Sequence, residues 1–442
     1  MWRKGSILIG VLWCMVLLSV LVIGVLHTAR MDLLVVKNYG DRVQAHYLAL
    51  AGVERAKALL FQDVMSRQQA AKNHTGSLYH DAKDFEDVPL GRGQFQVFRS
   101  APEEEGGGII YGISDEESRL NLNIATTNQL TNFIGLTPEI ASAILTWRSA
   151  SNQDAETPGG ANSDYYMSLQ PPYLARNGPF QTVRELLMVR GVTPELLLGN
   201  DRNQNGFLDA DEDPSDEQSS VSKPPPPHPG WAVLLTVADM DQNVNAAGKD
   251  RINPQTADKA ALTGVSGITP EIADAIVSYR SKNKLQTLDD LLSVTAQNPG
   301  QGGANGGPGD SGSPVISQEL LEQIADDLTL DGGTSLQGLI NINTAGVAVL
   351  TCLPGLEQPL AQAIINYRKS SGYFDNVAGL LKVDGMTRDI FKQVVPLITA
   401  RSETYRIICE GKINSSGARQ RIEAIVHLGR SDIKTLAYRE DL

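Results

Sequence analysis

The sequence predicts an α+β fold in which a long N-terminal helix and an antiparallel sheet carry a large all-α insertion. Three observations predict it. An uncharged segment at 6–26 continues without a break into an amphipathic pattern at 27–65. Strand patterns lie at 87–115 and 401–430, and the stretch between them, 116–400, contains helical patterns that repeat three times. We therefore expect a sheet built from two distant parts of the chain, around an inserted domain.

The composition is that of an acidic, globular chain. Its 442 residues include 38 Lys and Arg against 51 Asp and Glu, so the formal net charge is -13. This length indicates roughly two to four domains. The net charge would repel a polyphosphate, which disfavours nucleic acid as a partner.

The first hydrophobic segment is long enough to cross a membrane. At a rise of about 1.5 Å per residue, residues 6–26 can just span a hydrocarbon core of roughly 30 Å. Arg3 and Lys4 precede them, so the positive-inside rule leaves the first residues in the cytoplasm and everything after His27 outside. A cleaved secretory signal is the competing interpretation, although residues 27–29 make a poor cleavage site.

The helix is expected to continue beyond the membrane. Arg30 to Gln62 contains no proline, and apolar residues recur there at steps of three and four. Such a stripe can support a sheet. Strand patterns follow at 93–98 and 108–113, and a hairpin is expected from 405–413 and 421–428 across the turn 414–417. The last residues, 431–442, are interpreted as a C-terminal tail.

The N-terminus resembles a type IV prepilin leader at 1–5. Arg3, Lys4 and Gly5 precede a hydrophobic run, so the resemblance implies cleavage after Gly5 and methylation of Ser6. Most pilin-like proteins have glutamate at the fifth mature position, where this chain has Gly10. In lacking this glutamate, the chain resembles the K-type minor pseudopilins of type II secretion systems. An ordinary signal anchor that happens to have glycine there is the alternative.

The resemblance implies both a fold and a function. The fold would be pilin-like, and the protein would be a single-pass inner-membrane protein with its C-terminal domain in the periplasm. It would be a structural subunit at the pseudopilus tip that nucleates assembly and supports export across the outer membrane. Implied partners are other minor pseudopilins through the N-terminal helix, the inner-membrane secretion platform, the prepilin peptidase, and the secretin or cargo.

The insertion repeats one pattern three times. Each copy opens with a polar-apolar segment, at 120–125, 252–257 and 340–345, and then reaches a glycine hairpin. The hairpins resemble helix-hairpin-helix modules, which bind DNA phosphates through a second glycine. That second position holds Thr137, Thr269 and Glu357. Because side chains crowd the site, we interpret the hairpins as packing units. The alternative is a membrane-anchored DNA receptor of the competence type.

An acidic loop at 201–212 matches the twelve-residue EF-hand pattern. The predicted Ca²⁺ ligands are Asp201, Asn203, Asn205, Phe207 through its carbonyl, Asp209 and Glu212. The alternative is an acidic turn that holds no ion. Because 213–216 offers no exiting helix, we interpret the loop as a structural clip. K-type pseudopilins are known as calcium binders, so the resemblance also favours the ion.

No motif nominates an enzyme. His-Glu-x-x-His, Gly-x-Ser-x-Gly and phosphate-binding glycine loops are absent from the sequence, so we expect no catalytic activity. An anchored hydrolase is a third hypothesis, without a candidate nucleophile. Outside the membrane segment the only cysteines are Cys352 and Cys409, which are either bonded to each other or two small buried residues.

Overall fold

The computed structural model describes residues 4–72, 77–149, 160–201, 230–295, 313–430 and 432–440. The α-helices are α1 (Lys4–Ala70), α2 (Ala82–Phe85), α3 (Thr127–Asn132), α4 (Pro138–Arg148), α5 (Ser163–Met167), α6 (Pro194–Leu198), α7 (Lys259–Thr263), α8 (Pro270–Arg280), α9 (Gln318–Ile324), α10 (Val347–Leu350), α11 (Gln358–Ser371) and α12 (Arg388–Val394). The strands are β1 (Val88–Leu90), β2 (Gly93–Ser100), β3 (Ile109–Tyr111), β4 (Ser114–Asp115), β5 (Leu120–Asn121), β6 (Leu235–Thr236), β7 (Asp241–Gln242), β8 (Ser335–Leu336), β9 (Ile340–Asn341), β10 (Ile398–Thr399), β11 (Thr404–Ile413), β12 (Arg419–Leu428) and β13 (Ile433–Arg439).

Helix α1 has two halves with different surroundings. It runs unbroken over 67 residues. The apolar side chains between Ile7 and Val36 are exposed, and α1 is the one helix in the described part of the chain that is long and apolar enough to cross a membrane. The second half buries one face, formed by Ala45, Leu48, Ala49, Val53, Ala56 and Leu60. These residues recur at helical steps, so a single stripe packs on the sheet.

An antiparallel sheet covers that stripe. Its strand order is β1-β2-β11-β12-β13, with β3 paired to β2 and β4 paired to β11. Strands β11 and β12 form the expected hairpin, in which Ile407 lies opposite Ala424. Strand β2 pairs with β11 although more than three hundred residues separate them, which confirms the pilin-like α+β fold around an insertion.

Two features differ from the expectation. The segment 431–442 was expected to be a tail, yet Ile433–Arg439 forms strand β13 on the edge of the sheet, paired with β12. Apolar and polar residues do alternate over part of it, but the run is short and its side chains are exposed. The inserted domain is also not purely helical, because three two-stranded pairs, β5-β6, β7-β8 and β9-β10, lie within it.

Short parallel pairings close the three repeats. Unit 1 runs from β5 to β6 (120–236), unit 2 from the bridge residue Ile252 to Leu328, and unit 3 from β9 to β10 (340–399). In each unit the opening segment pairs in parallel with the closing one, through strands in units 1 and 3 and through a single bridge in unit 2. The units share one hydrophobic core, and α1 with the sheet forms another. Cys352 lies in the first core and Cys409 in the second; both are buried and free, so they are not bonded to each other.

Candidate functional site

The predicted processing residues lie at the start of α1. Gly5 and Ser6 belong to the helix, although the Ser6 side chain is outside the described part of the structure. Gly10 is exposed, and a Cβ added there would meet no atom within 4 Å. A glutamate at this position would therefore have space. The exposed apolar half of α1 offers a surface for a bilayer or for neighbouring helices.

The predicted calcium loop lies almost entirely outside the described residues. Asp201 is described and half-buried, whereas Asn203, Asn205, Phe207, Asp209 and Glu212 belong to the segment that is not. Among the described residues, no group of three or more His, Cys, Asp or Glu side chains is placed to hold a metal ion. The ion at 201–212 stays a prediction.

The glycine hairpins adopt one geometry. Gly135, Gly267 and Gly355 have φ of 71°, 101° and 75°, a region that favours glycine. The same turn recurs later in units 1 and 3, at Gly191 and Gly385. The hairpins pack against each other: a Cβ on Gly355 would lie 3.3 Å from Ile390, and one on Gly385 would lie 3.6 Å from Leu360. The hairpins thus work as packing units within the fold.

In units 1 and 2, side chains of the same unit already occupy the N-terminus of the helix that follows the hairpin. Thr137 caps α4 by accepting a hydrogen bond from the backbone N–H of Ile140, and Pro138 has no N–H to offer. Hydrogen bonds from its own backbone N–H and from the Thr137 hydroxyl lower the pKa of Glu139. Helix α8 repeats this arrangement with Thr269 and Glu271. An anionic carboxylate therefore occupies the place where a phosphate would bind.

Three consecutive acidic residues connect the sheet to the insertion. We call Asp115, Glu116 and Glu117 the acidic junction; all three are buried. Asn341 of unit 3 donates to Asp115 at 2.8 Å, and Thr236 of unit 1 donates to Glu116 at 2.6 Å. Each acid thus contacts a different part of the molecule.

The central acid is neutralised by the sheet. The Arg406 guanidinium of β11 donates to both oxygens of Glu116, at 2.8 and 2.6 Å, and Arg119 adds a second pairing at 3.1 Å. Burial alone would raise the pKa of Glu116, but the charges of Arg406 and Arg119 lower it below its ordinary value. A bidentate pair with further hydrogen bonds satisfies the condition for tolerating a buried charge.

The third acid shares its environment with another carboxyl. Glu117 interacts electrostatically with Asp241 of β7, and its Oε1 accepts from the backbone N–H of Glu403 at 3.2 Å. Burial, followed by the charge of Asp241, raises the pKa of Glu117 well above its ordinary value. Burial, followed by the charge of Glu403, raises the pKa of Asp241 to about 7. Burial and the like charge of the neighbour therefore disfavour simultaneous ionisation of the two carboxyls.

The acidic junction was not anticipated from the sequence. The one available signal is the run of three acids immediately before the first unit, at the border of the inserted domain. Runs of this kind are usually solvated, so only the fold reveals that these side chains are buried.

Two models of known protein families match parts of the chain. Residues 113–199 match the family model described as "Type II secretion system (T2SS), protein K". The helix-hairpin-helix motif model matches residues 248–299 and 336–399, which lie in and around units 2 and 3. The resemblance to K-type minor pseudopilins is therefore confirmed over the protein K domain at 113–199.

The curated relatives match only part of the chain. Endonuclease/exonuclease/phosphatase family domain-containing protein 1 of Mus musculus is 30% identical over 149 residues, 31% of this chain and 26% of the relative. ComE operon protein 1 of Bacillus subtilis is 35% identical over 71 residues, 16% of this chain and 34% of the relative. The chain spans about a quarter of the length of the first of these relatives.

A solved structure aligns over most of the chain. It is titled "The Crystal Structure of the GspK-GspI-GspJ complex from enterotoxigenic Escherichia coli Type 2 Secretion System". The alignment covers 93% of this chain and 98% of that chain, with 13% sequence identity and a TM-score of 0.43.

Proposed function

We propose that the chain is a structural minor pseudopilin of the K type, located at the tip of a type II secretion pseudopilus. One observation carries the proposal: α1 exposes an apolar half between Ile7 and Val36 and seats its second half on an antiparallel sheet. A helix built in this way can lie in the bilayer before assembly and pack among neighbouring helices afterwards. The protein K domain at 113–199 supports the same assignment.

The proposed placement follows from the N-terminal charges. Arg3 and Lys4 stay in the cytoplasm, α1 crosses the inner membrane once, and the sheet with its insertion lies in the periplasm. The proposed partners are other minor pseudopilins through α1, the secretion platform, the prepilin peptidase, and the secretin or cargo. The protein would nucleate the pseudopilus and support export across the outer membrane.

The tip position rests on Gly10. A glutamate at the fifth mature position is useful where a neighbouring terminal amine can pair with it, since an unpaired charge in an apolar bundle is costly. A subunit with no neighbour above it has no such amine. Isolated pseudopili labelled on an epitope of this chain should show the label at one end only, and labelling along the filament would contradict the tip assignment.

Mass analysis of the mature N-terminus tests the pilin class itself. When the protein is produced with the prepilin peptidase, we expect a chain that starts at methylated Ser6. Without the peptidase, the chain should retain Met1. An intact Met1 in both cases would assign the segment to an ordinary signal anchor.

Calcium binding at 201–212 is part of the proposal. Carboxylate and amide oxygens suit a hard cation, and an exported protein meets enough calcium to fill a weak site. Ligand binding to the native state raises stability, so calcium should raise the melting temperature of the wild type. The Glu212→Gln variant should lose that response. An unchanged melting temperature for the wild type, with and without chelator, would contradict a structural ion.

The DNA-receptor alternative receives less support from the hairpins. The first turns of α4 and α8 hold Glu139 and Glu271, whose negative charges would repel a phosphate. We expect no binding of duplex DNA at low salt. Salt-dependent binding at low micromolar concentration would favour the receptor instead.

We propose no catalytic role. The endonuclease, exonuclease and phosphatase names belong to a protein of which the chain spans about a quarter. A hydrolase would have to show an activity that disappears when one polar residue in a cleft is changed.

A further inference from the structure

A short segment of the insertion reaches the end of the sheet. We call residues 240–242 the strap; it contains β7, which pairs with β8 of the insertion. The strap also bonds to the sheet. The Met240 N–H donates to the Thr404 hydroxyl at 3.2 Å, and the Gln242 side chain donates to the Leu428 carbonyl at 3.1 Å. The strap therefore connects the insertion to β11 and β12.

Two charged residues that precede β11 add to this contact. The Gln242 N–H donates to the Glu403 carboxylate at 2.7 Å, and the Arg401 guanidinium donates to the Gln242 carbonyl at 2.8 Å. A cavity of about 30 Å³ lies beside these three residues and extends to the end of α1, where Arg67 and Gln68 line it. A cavity of this size is large enough for a water molecule. Water can therefore reach the bonds that the strap would exchange on opening.

Two buried carboxyl oxygens at the strap have no hydrogen-bond donor. They are Oδ1 of Asp241 in the strap and Oε2 of Glu117 in the acidic junction. Asp241 is 4% exposed and Glu117 1%, and the two side chains interact electrostatically. Arg401 and Arg251 attract the Asp241 charge, but each donates its hydrogen bonds to another residue. Ionising both acids would therefore bury two like charges, whereas a proton on one acid supplies a donor.

The groups around the pair favour the protonated state. Asp115 and Asp239 repel a charge on Glu117, and Glu403 repels a charge on Asp241. Burial lowers the pKa of His427, whose Nδ1 lies 3.4 Å from the Thr404 hydroxyl, so this histidine adds little positive charge. The titratable and charged groups that face the pair or the strap are Asp115, Asp239, Arg251, Arg401, Glu403, Tyr405 and His427.

We propose that Glu117 and Asp241 form a proton-controlled latch: the strap stays on the sheet while one of the two carboxyls is protonated, and it opens when both ionise. On opening, the two acids reach water and the strap gives up its bonds to the sheet. The loop after the strap contacts the last turn of α1, since a Cβ on Gly248 would lie 3.2 Å from Nε2 of Gln68. Opening therefore also loosens the insertion from α1. This inference does not depend on the pseudopilus assignment, because it uses only contacts within the chain.

The direction of the response follows from the protons bound in each state. In the closed state, burial and the charge of Glu403 raise the pKa of Asp241 to about 7, whereas in an opened strap it returns toward its ordinary value of 3.8. Burial and the charge of Asp241 likewise raise the pKa of Glu117. The closed state thus binds more protons than the open one, so rising pH favours opening.

Amide hydrogen exchange on the full chain in lipid nanodiscs measures this opening. Protection factors, which correct for the intrinsic pH dependence of exchange, are compared for the Met240 and Gln242 amides at about pH 5 and about pH 8. We expect protection to fall by about tenfold or more between these values. Constant protection at both amides would overturn the proposal.

Low concentrations of urea distinguish opening of the strap from global unfolding. Global unfolding exposes much more surface and therefore responds more strongly to denaturant. At about pH 8, exchange of the strap amides should be faster than that of the Leu350 amide in the core of unit 3, and nearly independent of urea. Strap amides that exchange at the rate of Leu350, with the same dependence on urea, would show that the strap has no opening of its own and would overturn the latch.

Two variants remove the latch separately. In Asp241→Asn and in Glu117→Gln, the new amide can donate to the remaining carboxylate, so strap protection should agree within about twofold at the two pH values. Asp274→Asn, in an exposed ion pair, should keep the wild-type response. A pH response that persists in either folded variant would overturn the proposal. So would recovery of wild-type protection at about pH 8 on adding calcium, because a cation would then occupy the place assigned to the proton.

Discussion

Asn343 connects three separate segments of unit 3 with one buried side chain. Its amide nitrogen donates to the carbonyls of Phe374 and Ala400 at 2.9 and 2.7 Å, and its oxygen accepts from the Phe374 N–H at 2.8 Å. Asn123 makes the equivalent bonds to Phe180 in unit 1. In unit 2 the longer Gln255 reaches the N–H of Leu285 at 2.8 Å. In each unit, one polar residue therefore connects the opening segment to the element that returns to it. In units 1 and 3 the same residue also donates to the carbonyl that follows the closing strand.

Replacing Asn343 with alanine should destabilise unit 3. The change leaves the Phe374 N–H and two carbonyls without a partner in a buried place, which we expect to cost about 3 kcal/mol. Denaturant unfolding should report the loss, and hydrogen exchange should locate it at Phe374. Asn366→Ala is the matched control, because Asn366 is exposed on α11 and its side chain accepts a hydrogen bond from Gln362 of the same helix. Similar losses in both variants would contradict the assigned role.

The Glu117–Asp241 pair should make stability depend on pH. The ordinary pKa of an aspartate is 3.8, and the folded state raises that of Asp241 to about 7. Between these values the folded protein holds a proton that the unfolded chain has released, so stability falls as pH rises through this window. Asp241→Asn cannot ionise. The variant should flatten the dependence of the free energy of unfolding on pH between about pH 4 and 7. It should also raise that free energy at pH 8 by on the order of 2 kcal/mol.

Melting curves across this pH range provide the measurement. Asp274→Asn serves as the control, because this aspartate is 62% exposed and its pairing with Lys259 is accessible to solvent. An exposed ion pair contributes little to stability, so the melting temperatures of the control should follow the wild-type curve. A wild-type slope that persists in Asp241→Asn would assign the pH dependence to other groups.

At the scale of elements, Glu104 of the β2–β3 loop caps a helix in unit 3. The N-cap position of α10 is Gly346, which has no side chain to offer, whereas Thr126 and Asp258 cap the equivalent helices of units 1 and 2. The Glu104 carboxylate accepts from the Val347 N–H at 3.1 Å instead. Lys369 also donates to the Glu104 carbonyl at 2.6 Å. The loop thereby fixes unit 3 against the sheet.

Glu104→Ala should uncap α10 and loosen this docking. The expected loss is about 1 kcal/mol, the usual contribution of an N-cap. Gly346→Ser in the same background should restore most of it, since Gly346 already has the extended backbone of an N-cap, with φ of -79° and ψ of 170°. Hydrogen exchange of the α10 amides provides the readout. If serine restores no protection, the Glu104 carboxylate does not act as the cap.

The elements that could be predicted from the sequence are those with a period or a fixed motif. Alternation predicted the β11–β12 hairpin, the proline-free stripe predicted α1, and the motif that recurs at Gly135, Gly267 and Gly355 predicted three similar units. The closing strands were missed because two residues, as in β6 and β10, have no period to detect. Strand β13 was missed because both of its faces are largely exposed, which removes the hydrophobic signal.

At the scale of the whole molecule, the connection between the sheet and the insertion was the least predictable feature. Asp115, Glu116 and Glu117 are adjacent in the chain, but their partners Asn341, Arg406 and Asp241 are distant in sequence. No local pattern encodes such pairings. The candidate site divides in the same way: the leader and the calcium loop are local motifs in the sequence, whereas the acidic junction emerges only in the folded chain.

Two glycines determine how closely α1 approaches the sheet. A Cβ on Gly411 of β11 would lie 2.1 Å from the Ala45 carbonyl, and one on Gly52 of α1 would lie 2.3 Å from the Cys409 sulfur. Real Cβ atoms do not approach other atoms this closely, and backbone at Gly411 cannot yield as a flexible side chain can. The contact therefore sets the distance between the two layers, and with it the direction in which α1 leaves the domain.

Gly411→Ala should push α1 off the sheet. We expect a loss of about 3 kcal/mol and rapid proteolysis of the second half of α1, because the whole layer has to move to admit one methyl group. Gly40→Ala is the control: Gly40 lies in α1, a Cβ there meets no atom within 4 Å, and alanine should stabilise the helix by roughly 1 kcal/mol. Limited proteolysis and denaturant unfolding of both variants give the comparison. A Gly411→Ala protein as resistant as wild type would mean that the layers are not in close contact, and the seating of α1 on which the proposed function rests would need another explanation.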